Sequence, residues 1–487
     1  MAESMDPIDS RRSFLKSSVA AAVSAAIAGT VEAEQKKAGG PPAVRPNIVL
    51  YLADQFRWDF VGANGRNGST RTPNIDALAS RGKNFTHMVT NQPVCAPARS
   101  VLFSSRYATE TGVWHNGLAL DQTLPTLAGE LRKAGYSANL IGKWHLAPGS
   151  EAAGGGPGYV KPEFRGGFLD LWEGANALEH TTHPYEGTIY DQDGKEITYK
   201  DQYRVDFLTD RAERFLRQKH DKPFFLFISQ LEPHQQNDMG QPVGPKGSVQ
   251  RFANSTAPDD LKAFPGTWQA QLPDYYGCIE SIDASVGRVR KILEEEHLAE
   301  NTIFVFLSDH GCHFMTRNTE YKRSTHNSSL RVPLIIDGPG FRGAQQLPEL
   351  VGIIDIAPTL MEAAGLPAPA SWKGRSIMPL LNDSEARAAW PNHHLIQISE
   401  SMTGRAIRTQ DWTYCVADMS GATKQSAAKT YTEYQMYDQR ADPNELVNLA
   451  GRMEYRAKAD ELQAQLKKLL VAAGEPEPEI LKAKLYP

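Results

Sequence analysis

The sequence is poor in cysteine, with four thiols, Cys95, Cys278, Cys312 and Cys415, in 487 residues. They lie far apart and none forms a Cys-x-x-Cys pair, which excludes a zinc knuckle and a thioredoxin-type redox motif. Four cysteines allow two disulfides in an exported chain, but their spacing assigns no pairing; free buried thiols are the expectation for Cys278 and Cys415. Runs of lysine or arginine are also missing, and the net charge is −5, so nothing points to nucleic acid as a partner. An anionic substrate must therefore be met by positive charge gathered locally. With 22% charged and 41% hydrophobic residues the chain has a globular balance, and its length calls for a large domain plus a smaller one.

The N-terminus reads as a targeting segment. Arg11-Arg12-Ser13-Phe14-Leu15-Lys16 is a twin-arginine pattern, a mildly apolar stretch runs from Ser17 to Ala28, and Val31-Glu32-Ala33 places small residues for cleavage. That stretch is too short and too weakly apolar for a stable membrane span. The expectation is a signal peptide over residues 1–33, a linker over 34–45, and an exported protein, periplasmic or extracellular.

Beyond the linker, continuous apolar runs read as strands buried on both faces. Asn47–Ala53 stops at Asp54-Gln55, Thr302–Leu307 stops at Ser308-Asp309-His310-Gly311, and Phe224–Ile228 is followed by Glu232-Pro233-His234. A shorter run, Ala138–Ile141, leads into Gly142-Lys143-Trp144-His145. Helical periodicity lies between them, over Thr126–Ala134, Val205–Gln218 and Tyr275–Leu298. Buried strands alternating with helices predict an α/β sheet with helices on both faces, whose ligands sit beyond the carboxyl ends of the strands. Several strands ending in Asp, His or Lys converge on one such place, whereas a single Asp there is an ordinary turn residue. After residue 385 short strand-like pieces, Arg405–Arg408, Trp412–Val416 and Glu433–Asp438, precede a helix over Arg452–Leu470, which predicts a small α+β domain. The predicted division is therefore 46–385 for a catalytic domain and 386–487 for the smaller one.

Asp54 and Asp309 end two strands far apart in the chain, each followed by a further candidate ligand, Gln55 and His310. Two carboxylates, an amide oxygen and an imidazole suit a hard divalent cation, Ca²⁺ first, with Mg²⁺ or Mn²⁺ as alternatives; unrelated loop aspartates are the bland alternative. In Cys95-Ala96-Pro97-Ala98-Arg99-Ser100, Pro97 is placed to open a helix whose N-terminus favours an anion at Cys95. A thiolate phosphatase loop needs arginine where Val101 stands, so that reading is weak, and a buried structural cysteine is the other alternative.

Cys95-x-Pro97-x-Arg99 resembles the signature of the formylglycine-dependent sulfatases, a family of the alkaline-phosphatase-like superfamily. The resemblance runs on in order through Gly142-Lys143-Trp144-His145-Leu146, Ser308-Asp309-His310-Gly311, Arg331-Val332-Pro333, Asp355-Ile356-Ala357-Pro358-Thr359 and Gly374-Arg375-Ser376 to Asp442-Pro443-Asn444-Glu445. It implies a large mixed β-sheet sandwiched by helices, with a smaller C-terminal sheet domain. It implies that Cys95 is oxidised to formylglycine by a formylglycine-generating enzyme, and that its hydrate attacks the sulfur of a sulfate ester on a small molecule or glycan. It also implies a metal held by Asp54, Gln55, Asp309, His310 and residue 95; Arg99 and Lys143 holding the formylglycine; His145 helping to expel sulfate; and His234 and Lys322 binding the ester and protonating the leaving oxygen.

Several positions depart from the family pattern. Gln55 stands where many members carry a second aspartate, Ala98 where serine is common, and Asn327 near a frequent glutamate. A phosphonate monoester or phosphodiester hydrolase of the same fold is the competing enzyme, and an inactive binding protein the competing non-enzyme. Trp114, His115, His313 and His326 are the candidates to line a sugar site.

Overall fold

All eight residues of the first strand, β1 (Asn47–Asp54), are buried, because the strand lies mid-sheet with helices on both sides. The structure, a computed structural model, describes residues 45–486, so the twin-arginine segment, its cleavage site and all of the linker but Arg45 lie outside the described residues. The described residues form a ten-stranded sheet from β1, β2 (Lys83–Val89), β3 (Ser137–Lys143), β4 (Trp172–Ala175), β5 (Glu186–Tyr190), β6 (Glu196–Lys200), β7 (Phe224–Pro233), β8 (Thr302–Ser308), β9 (Leu334–Asp337) and β10 (Gln345–Gly352). Their order is β10-β2-β9-β8-β1-β7-β3-β4-β5-β6. The central four, β8-β1-β7-β3, are parallel, while β9, β5 and β6 pair antiparallel, so the sheet is mixed.

Six helices frame the argument: α1 (Cys95–Ser104), α2 (Leu127–Lys133), α3 (Arg204–Leu216), α4 (Trp268–Glu295), α5 (Ile356–Ala363) and α6 (Arg456–Ala472). Alternate residues of a strand point to opposite faces, and β1 shows the result. Ile48, Leu50 and Leu52 pack with α1, α2 and α5, whereas Val49, Tyr51 and Ala53 pack with α3 and α4. Burying each such aliphatic side chain is worth roughly 1.5–3 kcal/mol. The helix expected from Tyr275 begins instead at Trp268 and contains Pro273. Pro273 is the sixth residue of that helix, past the turn whose N–H groups lack intrahelical partners, so it removes one i→i−4 hydrogen bond, to the Gln269 carbonyl.

A second sheet, in order β11 (His394–Ile398), β12 (Gly404–Arg408), β13 (Trp412–Ala417), β14 (Thr430–Asp438) and β15 (Glu479–Leu481), is antiparallel but for its last pair. Leu462, Leu466 and Leu470 of α6 cover it, packing on Leu395, Ile407 and Tyr414. Both sheets belong to one compact unit. Hydrogen bonds join them: Thr325 Oγ1 to Gln435 at 2.9 Å and the Asn327 amide N–H to Glu445 at 2.6 Å. No described helix is long and apolar enough to cross a membrane.

Candidate active site

Parallel pairing of β8, β1, β7 and β3 brings the polar residues that end those strands to one edge, so Asp309, Asp54, His234 and Lys143 become neighbours. The motif Gly142-Lys143-Trp144-His145 divides its labour by residue. Gly142 has φ +108°, and a Cβ there would overlap the Ser229 carbonyl of β7. Lys143 turns into the site, Trp144 is fully buried in the core, and His145 follows in the left-handed region at φ 68°. Gln55 also sits at φ 68°, immediately after β1. Non-glycine residues in this region are uncommon, and here both follow strands that deliver site groups.

Helix α1 starts at Cys95, with Val94 as its cap and every residue buried. Arg99, one turn on, is wholly buried and satisfied by four oxygens. Its Nε donates to Asp309 Oδ2 at 3.1 Å, Nη2 to Asp54 Oδ2 at 3.1 Å, and Nη1 to the Lys143 carbonyl and to Ser229 Oγ, both at 2.8 Å. Lys143 Nζ donates to Asp54 Oδ2 at 2.9 Å and to Glu179 Oε1 at 3.0 Å. On the other side of the thiol, Lys322 Nζ lies 3.0 Å from Cys95 Sγ, 2.9 Å from His234 Nε2 and 3.2 Å from His310 Nε2. Cys95 Sγ is itself 3.2 Å from His310 Nε2 and 3.5 Å from Asp54 Oδ1.

These contacts make Cys95 an anion-favouring position. Burial pushes its thiol pKa up, but Lys143, Lys322 and His310 outweigh burial, and the thiol falls well below its ordinary value. At the other three cysteines, all free and buried, burial outweighs the nearby cations and raises Cys278, Cys312 and Cys415, the last two to about 12. His234 is pushed down by burial and by Lys322 beside it. Asp309 is raised by burial and by the Asp54 carboxylate, so two acids share one small space.

That crowding matches the donor set a divalent cation needs. Asp54, Cys95, Asp309 and His310 each offer a ligand atom, and these atoms lie within 4.8 Å of one another. Gln55 holds Gln235 through Nε2 at 2.8 Å, while its Oε1 is buried without a partner. An orphaned amide oxygen beside two mutually repelling carboxylates fits an oxygen-preferring cation.

The structure thus draws Asp54, Cys95, Arg99, Lys143, His234, Asp309, His310 and Lys322 together around one thiol, with His145 on the wall of the adjoining cavity; Gln55 adjoins them through its backbone N–H, 3.2 Å from Asp309 Oδ1, while its side-chain amide N–H₂ lies on Gln235 and Cys312. Two expected sugar-site residues belong elsewhere. His313 is fully buried with Nε2 3.0 Å from the Lys322 carbonyl, and His326 is buried against Tyr437 Oη at 3.1 Å. They brace the Lys322 loop and its junction with the small sheet, because tertiary packing covers both rings. Trp114 and His115 remain partly exposed. The sequence reading missed Glu179, which follows a four-residue strand too short to stand out. It also missed the Arg323–Glu400 ion pair at 3.1 Å, whose two residues adopt positive φ on loops from different sheets. A strand ending at Ala175 is the only sequence signal that finds Glu179; the Arg323–Glu400 pair has none.

Comparison with known proteins agrees with this geometry. The sulfatase family model matches residues 46–366, and a model for the N-sulphoglucosamine sulphohydrolase C-terminal region matches residues 319–472. An ulvan-active sulfatase of Formosa agariphila is 30% identical over 453 residues, covering 88% of this chain and 82% of the relative. A solved structure from the Bacteroides thetaiotaomicron glycosaminoglycan-metabolism locus superposes with TM-score 0.76 at 21% identity, covering 89% of this chain and 97% of that one. The same fold carries a phosphonate monoester hydrolase of Agrobacterium radiobacter, TM-score 0.67 at 22% identity over 88% of this chain and 96% of that one. Fold alone therefore leaves sulfur and phosphorus esters open, and the match in sequence decides between them: this chain belongs to the sulfatase family, the sulfuric ester hydrolases of alkaline-phosphatase-like fold.

Proposed function

We propose that this protein removes sulfate from a sugar, using Cys95 matured to formylglycine as its nucleophile and a divalent cation, Ca²⁺ before Mg²⁺ or Mn²⁺. The observation that carries the reading is the thiol of Cys95, held at the start of a buried helix between Lys143, Lys322 and His310. One hydroxyl of the hydrated aldehyde would take the place of that sulfur. Residue 95 in that form supplies an oxygen nucleophile and a second hydroxyl that expels sulfate afterwards. A cation held by Asp54, Gln55, Asp309, His310 and residue 95 supplies Lewis-acid charge beside that oxygen.

The remaining work belongs to side chains of this chain. Arg99 ties both aspartates to the end of β3 and to Ser229 of β7 and holds them together despite their like charge. Lys322, in contact with residue 95, and Lys143, held on Asp54, offset the negative charge of the sulfate as it is transferred. The Lys322–His234 pair presents a proton to the departing alkoxide, and His145 takes one as sulfate is released. The sugar reading is supported by the cavity that His145 lines, whose walls include the polar residues Asn116, Asn176, Glu179 and Asn237. The twin-arginine segment supports export after folding, with maturation by a formylglycine-generating enzyme before transport.

Mass spectrometry of the peptide carrying Cys95, from protein made with its maturation enzyme, tests the nucleophile. An aldehyde or its hydrate at residue 95 is expected; unmodified cysteine from a competent maturation system defeats the proposal. Rates on a sulfate ester and a phosphonate monoester of one alcohol then test the substrate, with sulfate the faster.

A further inference from the structure

Glu179 lies on the short helical turn Leu178–Thr181 just after β4. Lys143 and Ala175 are register partners on β3 and β4, which brings the turn beside Lys143. One carboxylate oxygen, Oε1, accepts from Lys143 Nζ at 3.0 Å. The other, Oε2, is buried and has no partner, in a residue only 6% exposed. Burial pushes the Glu179 carboxyl up, but Lys143, His145 and His234 outweigh burial and keep it well below the usual range, so it is a carboxylate.

Glu179 lines a cavity of about 480 Å³ that also touches His145, Asn116 and Asn237. His145 Nδ1, likewise buried, has no partner either. A buried carboxylate oxygen calls for a donor, and its charge repels a second sulfate or a carboxylate. A hydroxyl group meets this need, and it can donate to the carboxylate while accepting from an imidazole or amide N–H. Lys143 Nζ bridges Glu179 Oε1 and Asp54 Oδ2, at 3.0 and 2.9 Å, and Asp54 Oδ1 lies 3.5 Å from Cys95 Sγ, so the cavity that Glu179 lines is near the reacting centre.

We infer that Glu179 is a specificity-determining residue whose Oε2 accepts a hydrogen bond from a hydroxyl of the substrate's alcohol portion, beside the sulfate ester, while Oε1 holds Lys143. The inference rests on the sugar sulfatase reading and names the group that reads the sugar.

The test uses the matured holoenzyme and a set of methyl pyranosides each carrying one sulfate, with and without the hydroxyl on the neighbouring carbon. p-Nitrophenyl sulfate is the reference substrate. In the wild type, loss of the hydroxyl lowers kcat/KM by about 100-fold, as expected where a site is built to pair a substrate hydroxyl. Glu179→Gln keeps an oxygen for Lys143 and turns an N–H₂ to the cavity, so the ratio between hydroxylated and deoxy sugars collapses toward unity. The rate on p-nitrophenyl sulfate falls as well, because Lys143 is disturbed, and that fall measures the effect through Lys143 alone. If Glu179→Gln does not fold, Glu179→Asp keeps the charge, withdraws the oxygen and gives the same comparison. Equal losses on all three substrate types overturn the inference and leave Glu179 a positioning residue for Lys143. Turnover of p-nitrophenyl sulfate but of no pyranoside overturns it while the sulfatase activity stands. No turnover of any sulfate ester, with the aldehyde confirmed, overturns the inference and the proposed function together.

Discussion

Two buried charged centres lie three residues apart along the chain after β1, and they differ in how completely they are paired. Arg57 spends every guanidinium nitrogen: Nε and Nη2 on Asp59 at 2.9 and 2.6 Å, Nη1 and Nη2 on Asp260 at 3.1 and 2.9 Å, and Nη1 again on the Cys312 carbonyl at 3.0 Å. At the centre built on Asp54 and Cys95, Gln55 Oε1, Glu179 Oε2 and His145 Nδ1 have no partner, and two lysines converge on one thiol. The Arg57 centre is closed and joins two segments. The Cys95 centre is open, with acceptors and charge left over for groups the chain does not itself supply. A saturated buried network specifies structure, whereas an unsaturated one at the mouth of a cavity marks a place for chemistry.

Substitutions at each centre break this contrast in different currencies. Cys95→Ala removes the nucleophile, and kcat/KM for an aryl sulfate falls by about 10⁴-fold or more while thermal unfolding stays cooperative. Arg57→Ala strands two carboxylates in the interior, and urea unfolding shows a loss of about 3–5 kcal/mol of stability. Its activity per folded molecule falls far less than that of the Cys95 variant. Lys322→Ala lowers kcat/KM by about 10²–10³-fold, since it takes away one of two cations facing the transferred group. Chelation abolishes turnover and lowers the melting temperature; restoring Ca²⁺ at a hundred times its Kd returns about 2.7 kcal/mol by mass action. Arg57 and Gln55 share Cys312 and Tyr275 as partners, so chelation of the Arg57→Ala protein gives a loss that departs from the sum of the two, and the double measurement reads that coupling. The smallest effect is at the Arg323–Glu400 pair, partly open to solvent, where a double-mutant cycle measures a coupling of about 1 kcal/mol or less.

Much of the open centre was legible before folding was considered. Asp54, Lys143, His234 and Asp309 follow apolar runs, and a buried parallel strand announces itself by such a run and ends where polarity returns. The central strands were found within a few residues, although β7 continues to Pro233, beyond the apolar run that ends at Ile228. Less regular pieces hid their role. Trp172–Ala175 has four residues and a glycine, so Glu179 behind it carried no sign of importance. His313 and His326 were candidates to line a sugar site; the small sheet and the Lys322 loop bury them. Arg323 and Glu400 meet only because a loop of the second sheet reaches the first.

By itself the sequence determined which chemistry was affordable: one cysteine in a helix-opening motif, acids and bases at strand ends, and a family order that runs through most of the chain. Tertiary structure decided which of those groups are spent on one another and which are left open. Pairing depends on partners that are distant in sequence, such as Lys322 with Cys95 and Arg57 with Asp260, so no local pattern records it. Glu179 shows the physical reason most directly: its two oxygens are identical in the sequence, and only the fold gives one of them to Lys143 and leaves the other without a partner in a residue that lines a cavity.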